Sequence, residues 1–341
     1  MPPGVLVLLL GAAVLHAGWN ILLKTSEDPL RTAGRGMLVG AIVLLPAGLI
    51  GWLGLGRPPV PTEAWALAFV SGVVEAVYFG LLSGAYARGD LSLVYPIARG
   101  TAPVLSVVVG IVFLGERLGP VGAVGVALLL VGILSLQRPW TVIRGSSAMT
   151  PRVRQAVWLA VATGVAITCY SAVDRVGARL VPPWLYAALI WTFTAVFLVG
   201  GIVLVDERRR RLAERALASA AAVVGTEGIG TLDPPAPGPS TGGTITSGGP
   251  LAGATSGPSR SGWGRAAVGG LTTVGAYLLV LVAYVFAPLA VVAPLRESAI
   301  VLVSGWGSFR LGEAATRRVA LARLAAATVI VAGAFLVALG A

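Results

Sequence analysis

Charged residues are what this sequence has least of. They make up 11% of 341 residues, against 56% hydrophobic, where a water-soluble globular chain carries about 25%. So little charge could not cover the surface of a soluble fold, so lipid is the expected outer solvent. Lysine is nearly absent. Lys24 is the single one, and arginine supplies the rest of 25 basic residues, which against 14 acidic ones leave a net charge of +11. Such an excess can signal nucleic acid, but most of the arginines stand in polar stretches between apolar runs, where they anchor helices at anionic headgroups. No nucleic-acid partner is expected. An Ala-, Gly-, Val-, Arg- and Pro-rich composition with almost no Lys points to a GC-rich bacterial source.

Histidine and cysteine are as scarce. One of each, His16 and Cys169, leaves no internal disulfide and none of the usual zinc ligand sets. No stretch reads GxxxxGK[ST], so nucleotide-driven pumping by this chain alone is excluded, and no catalytic cluster or cofactor motif is found. The first apolar run lacks a basic segment ahead of it and contains His16, Trp19 and Asn20. It is expected to remain as a span and not to be removed as a signal.

What is there is a succession of apolar runs, each near the 20 or so residues needed to cross a bilayer. They cover 4–23, 36–54, 64–86, 92–114, 118–136, 155–178, 183–205, 266–287, 290–311 and 319–340. The sequence therefore predicts an all-α integral membrane fold of ten transmembrane helices. Residues 206–263 stand apart as a loop insertion: Asp206-Glu207 and Arg208 to Arg211, an Ala-rich piece that suits a short surface helix over 212–224, then a Gly/Pro/Ser/Thr tract at 228–262. That tract has too few large apolar side chains to offset the entropy of ordering, and is expected to be disordered.

The two halves echo each other. Arg99 precedes Glu116 by 17 positions with Gly110, Leu114 and Gly115 between, and Arg296 precedes Glu313 by the same 17 with Gly307, Leu311 and Gly312 at matching places. Glycine and leucine matches are cheap here, but charged ones are not. Tyr86 precedes Pro96 by ten, as Tyr284 precedes Pro294, and Trp19-Asn20…Lys24 is paralleled by Tyr170-Ser171…Arg175. A duplicated five-span unit is implied, over 1–137 and over 153–340 with the insertion inside it. Five is odd, so the second copy enters from the opposite side, an inverted-repeat architecture that places substrate at the midplane between halves.

Pro96-x-x-Arg99…Leu114-Gly115-Glu116 and Pro294-x-Arg296…Leu311-Gly312-Glu313 give the chain a resemblance to the drug/metabolite transporter superfamily, in its ten-span EamA-type branch. The resemblance covers all ten spans but not the insertion. It implies a five-plus-five inverted fold, a central cavity, and export or exchange of metabolites. In the four-span multidrug relatives an acidic residue of the first span couples transport to protons; here that span offers His16.

Ionisable groups at membrane depth are costly and mark function by default. His16, Asn20 and Lys24 share one helical face; they either line a cavity or serve as packing glue with Lys24 reaching the headgroups. Glu75, with Tyr78 a turn later, is read as a substrate-ammonium or proton site, or else as a structural partner for a buried Arg or for His16. Arg99, Arg296 and Glu297 follow prolines that favour bent helix starts, and form either a clamp for a substrate carboxylate or a lock between halves. Tyr170 lies a turn before Asp174, and Asp174 is expected to pair at the interface with Arg175 or Arg179. Glu116 and Glu313 are expected to cap the next helix or to pair with Arg117 and Arg318.

The expected function is secondary transport of a small metabolite, amino acid or drug-like molecule across the cell membrane by alternating access. A membrane scaffold or a membrane-embedded lipid-modifying enzyme is the alternative, and a homodimer is admissible.

Orientation sets charge against resemblance. The loops after spans one, three, five, seven and nine hold most of the basic residues, from Lys24 and Arg31 through Arg88, Arg154 and Arg208 to Arg318; the others hold Arg57, Arg117, Arg175 and Arg179. The positive-inside rule puts the first set in the cytoplasm and both termini outside, whereas the family resemblance implies cytoplasmic termini. We expect the charge to decide. In a Cys169→Ser background, a cysteine at Ala341 should react with an impermeant maleimide from outside and one at Thr241 should not; the reverse pattern would overturn the assignment.

Overall fold

The computed structural model describes residues 3–24, 26, 28–89, 91–137, 150–227, 260–297 and 317–340. Among these, the secondary structure is helical throughout, in ten elements: α1 (Pro3–Lys24), α2 (Pro29–Gly54), α3 (Thr62–Tyr86), α4 (Leu91–Val112), α5 (Pro120–Gln137), α6 (Pro151–Gly177), α7 (Pro183–Glu227), α8 (Arg260–Phe286), α9 (Leu289–Glu297) and α10 (Arg317–Gly340). The second motif copy from Gly307 to Glu313, with Ser304 and Ser308, lies outside the described residues, as does most of the Gly/Pro/Ser/Thr tract. Two compact units divide the chain, one of residues 1–200 and 261–341, the other of 201–260. In the second, the described residues are helical, and Arg211 pairs with Glu207 one turn away at 2.9 Å on an exposed face. The separate surface helix expected at 212–224 falls within α7: no Gly or Pro interrupts residues 202–224, and Ala, Arg, Leu and Glu are strong helix formers.

Among the described residues, five helices are long and apolar enough to cross a membrane: Pro29–Gly54, Thr62–Tyr86, Pro151–Gly177, Pro183–Ser219 and Gly262–Phe286. Shorter apolar helical runs occupy α1, α4, α5 and α10. Helix α2 starts seven residues ahead of its apolar run. Asp28 accepts from the Arg31 N–H at 3.0 Å and Pro29 takes the first helical position, a start signal that works whether or not the first turns are apolar. Thr150 and Pro151 open α6 in the same way.

Which side chains turn outward follows from lipid as solvent. On α2 the buried positions are mostly small, among them Ala33, Gly36, Gly40 and Gly48, while Ile42, Leu45, Leu49 and Ile50 are exposed. Lipid offers no penalty to exposed leucine, so packing is won by letting backbones approach. A close seam joins α5 to α10. A Cβ on Gly333 would stand 2.7 Å from the Leu129 nitrogen and 2.8 Å from the Gly125 oxygen, and one on Gly132 would stand 3.0 Å from the Ile330 nitrogen. Backbone atoms cannot step aside as side chains do. The Gly80 and Gly84 pair, which its spacing marks for close packing, plays no such part: a Cβ on Gly80 would meet nothing within 4 Å, and one on Gly84 would meet only side-chain ends at 3.5 Å.

Elsewhere α6 packs against α3 and α4, and α9 against α4 and α1. These four contacts enclose the centre of the bundle. Gly333→Val should therefore cost about 1–3 kcal/mol of stability through overpacking, whereas Gly80→Ala should be neutral or stabilising by up to about 1 kcal/mol. Unfolding of the purified protein in detergent measures both.

Candidate functional site

At that centre lies a cavity of about 40 Å³, room for a few water molecules. Of the residues singled out in the sequence, His16, Glu75, Tyr78, Arg99, Tyr170 and Arg296 all line it. Glu297 stands behind the two arginines. Asn20 is part of α1, but its side chain, like that of Lys24, is outside the described residues.

The cationic end is built by α4 and α9. Arg99 donates from Nη1 to Glu297 at 3.2 Å (Oε1) and 3.4 Å (Oε2), and Arg296 donates from Nη2 to the same Oε1 at 3.4 Å. All three are at most 5% exposed. Two guanidinium groups thus share one carboxylate. Among the described residues the Arg296 Nε has no hydrogen-bond partner, and its guanidinium carbon sits 6.0 Å from the Tyr170 ring centroid, over an aromatic face. Arg99 and Glu297 are 198 positions apart, the separation that also relates Tyr86 to Tyr284 and Pro96 to Pro294. The motif spacing aligns Arg99 with Arg296, but the contact joins Arg99 to the residue after it.

Aromatic rings form the wall. Edge contacts run from Trp19 to Phe79 (6.5 Å between centroids), Phe79 to Tyr78 (4.8 Å) and Tyr78 to Tyr170 (6.0 Å). The chain continues from Tyr170 to Tyr277 (6.3 Å) and Tyr277 to Trp191 (5.1 Å). Most are edge-on, the arrangement ring quadrupoles favour. His16 accepts from the Trp19 Nε1 at 3.2 Å through its Nδ1, one helical turn away on α1. A smaller cavity of about 20 Å³ shares Trp19, Met37 and Thr273 with the first and leads along α2 and α8 to Arg265.

Three acidic residues correct their sequence-based pairing. Asp174 does not pair with Arg175 or Arg179. It is wholly buried, accepting from the Tyr186 hydroxyl at 3.3 Å and from the Tyr277 hydroxyl. Glu75 pairs with neither an arginine nor His16; it accepts from the Thr194 hydroxyl at 2.8 Å. Glu116 does not turn to Arg117 or to the start of α5. Its two oxygens accept from the N–H groups of Leu289 (2.7 Å) and Ala290 (2.9 Å), the open N-terminus of α9. Arg175 donates to it at 3.2 Å from Nε and to the Tyr284 carbonyl at 2.7 Å from Nη1. One carboxylate so ties the end of α4 to α6, α8 and α9, on the far side of the cavity from Arg265.

Tyr277, Trp191 and Thr194 carry no sequence signal, being ordinary polar-aromatic or hydroxyl residues inside apolar runs. Only their neighbours on other helices single them out.

With this geometry the chain can be set beside known proteins. Residues 3–137 match the EamA-like transporter family. Over that segment the chain is similar to a family of membrane transporters. No curated protein matches the sequence. A solved structure titled only as a crystal structure of a protein superposes with a TM-score of 0.65 at 18% identity, covering 99% of this chain and 98% of its own. At that identity the likeness speaks for the fold alone.

Glu116→Ala should lower stability by about 1–3 kcal/mol, since it leaves two helix-terminal N–H groups without their acceptor and takes from Arg175 its carboxylate partner. Glu116→Gln, which keeps an acceptor oxygen, should recover part of the loss. Thermal unfolding in detergent reads the order wild type, Gln, Ala.

Proposed function

We propose that the protein is a ten-span secondary transporter that moves a small amphiphilic molecule bearing an anionic group by alternating access. The observation that carries this reading is the cavity itself, with two arginines against one carboxylate at one end and an aromatic wall beside them. An Arg296 Nε without a partner among the described residues, beside a second guanidinium, suits a carboxylate or similar anion, and the rings suit the apolar remainder. At about 40 Å³ the cavity is too tight for such a molecule, so helices must part to admit it. A binding site between helices that widens as they move is what alternating access requires.

The contact pattern supports an inverted five-plus-five arrangement. Exchanging the halves turns the α4–α6 contact into α9–α1, and both are present. It turns α3–α6 into α8–α1, seen where Gly275 approaches Leu15. It turns α2–α8, where Gly36 meets Gly270, into α7–α3, where Gly72 meets Phe193. The α4–α9 and α5–α10 contacts map onto themselves. The Glu116 cluster then closes one side of the membrane, and the smaller cavity marks the path toward the other, which the charge distribution assigns to the cytoplasm.

Counterflow in proteoliposomes against a panel of small metabolites, amino acids and drug-like compounds tests the reading. Transport of an anionic or zwitterionic compound is expected, with Arg99→Ala and Arg296→Ala each lowering it about tenfold or more, the scale of a lost charge-assisted hydrogen bond. Consumption of substrate by chemistry without movement would sink the proposal. So would arginine variants that fold poorly yet transport at full rate per folded molecule.

A further inference from the structure

The same cavity touches a second group of polar residues that anion binding does not use. Glu75 on α3 and Asp174 on α6 are 5% and 0% exposed, and neither enters an ion pair among the described residues. Neutral hydroxyls hold them instead. Thr194 on α7 donates to Glu75 at 2.8 Å, Tyr186 on α7 donates to Asp174 at 3.3 Å, and Tyr277 on α8 donates to the other Asp174 oxygen. The Ser71 hydroxyl, fully buried on α3, faces Asp174 without closing a hydrogen bond. Arg296 on α9 faces both acids from across the cavity but is engaged with Glu297. Tyr170 faces Glu75, Tyr284 faces Asp174, and His16 belongs to the arginine end, facing Arg99 and Arg296.

Tyr277 is the link. Its hydroxyl gives its single proton to Asp174 and also faces Glu75. Its oxygen can still accept, and a carboxylate has nothing to donate. Only a protonated Glu75 completes the chain from Glu75 through Tyr277 to an ionised Asp174. Two bare carboxylates around one hydroxyl would repel each other, and Arg296, already engaged with Glu297, faces them only from across the cavity. One added proton satisfies both the charge and the hydrogen bonds. Glu75 and Tyr277 line the cavity, whereas Asp174 lies behind them, so a proton can arrive by water and reach Glu75 first.

We propose that Glu75, Tyr277 and Asp174 form a proton-binding unit that couples transport to proton movement. The proposal rests on the transporter reading for its coupling but not for the proton site. A proton adds to one Glu75 oxygen, no other bond breaks, and its loss returns the carboxylate. The unit joins α3, α6, α7 and α8, so gaining or losing that proton remakes hydrogen bonds among helices that must part. A ligand shifts a conformational equilibrium by its differential affinity for the two states, and here the ligand is the proton.

Infrared difference spectra of the full-length protein in lipid nanodiscs, taken across a pH series, read the carbonyl stretch of a protonated carboxyl group. The wild type should show such a band that disappears on alkalinisation, and the Glu75→Gln/Asp174→Asn double variant should lack it. Tyr277→Phe keeps both acids but removes the link, and should move the band. No band in the wild type, the same band in the double variant, or an unmoved band in Tyr277→Phe would overturn the proton site, the last deciding even if the double variant fails to fold. In proteoliposomes, a compound found by counterflow should accumulate under an imposed pH gradient with wild type and not with the double variant; wild-type accumulation indifferent to the gradient would overturn the coupling. If no compound counterflows, the transporter reading and the coupling fall together, while the infrared series still decides whether the site binds a proton.

Discussion

A charge in a lipid-embedded bundle persists only where another charge answers it, and Arg99 meets its answer in Glu297. Much of the centre depends on that contact. It draws α4 against α9, and it occupies the carboxylate that Arg296 also reaches, so that Arg296 faces the aromatic cavity with its partner shared. Removing either partner alone would strand a buried ion, and removing both would leave Arg296 without its carboxylate.

Around this pair the interior is graded. The arginine end is charged, the wall from Trp19 to Trp191 is aromatic, and the Glu75–Tyr277–Asp174 side is hydroxyl-rich. Farther out, glycine and alanine seams let helices touch backbone to backbone, and the bulky aliphatics stand outward in lipid. A soluble protein arranges its side chains the other way round, large apolar groups inward, because water drives them there. With lipid outside, that driving force is gone and shape takes its place.

Much of this was legible in the residues themselves. Hydropathy located the apolar runs, because helix is the way a chain without closed sheets hides its backbone in hydrocarbon. The six cavity residues that were foreseen announced themselves as charged or aromatic groups at depth. Boundaries failed where polar capping, not hydropathy, starts a helix, as at Asp28-Pro29. Partners failed for a simpler reason. Asp174 stands next to Arg175, but successive residues on a helix point about a quarter-turn or more apart and do not face each other, while Glu116 lies in the link after α4, where the open N-terminus of α9 takes both its oxygens. Asp174 looks inward to Tyr277 while Arg175 looks along the bundle to Glu116 and Tyr284. Tyr277 was invisible altogether, since a single hydroxyl in an apolar run means nothing until the acids beside it are known.

The Glu116 cap on α9 also bears on how the protein is made. The N-terminal amides of α9 find their acceptor in a residue synthesised 173 positions earlier. When ribosome and insertion machinery deliver α9, a carboxylate must already be waiting for it, held by the arginine of α6. The first half thus serves as a template on which the second is received. Biogenesis acquires a direction: in a chain that ends before α9, the Glu116 carboxylate would have Arg175 but not the two amides that α9 brings to it.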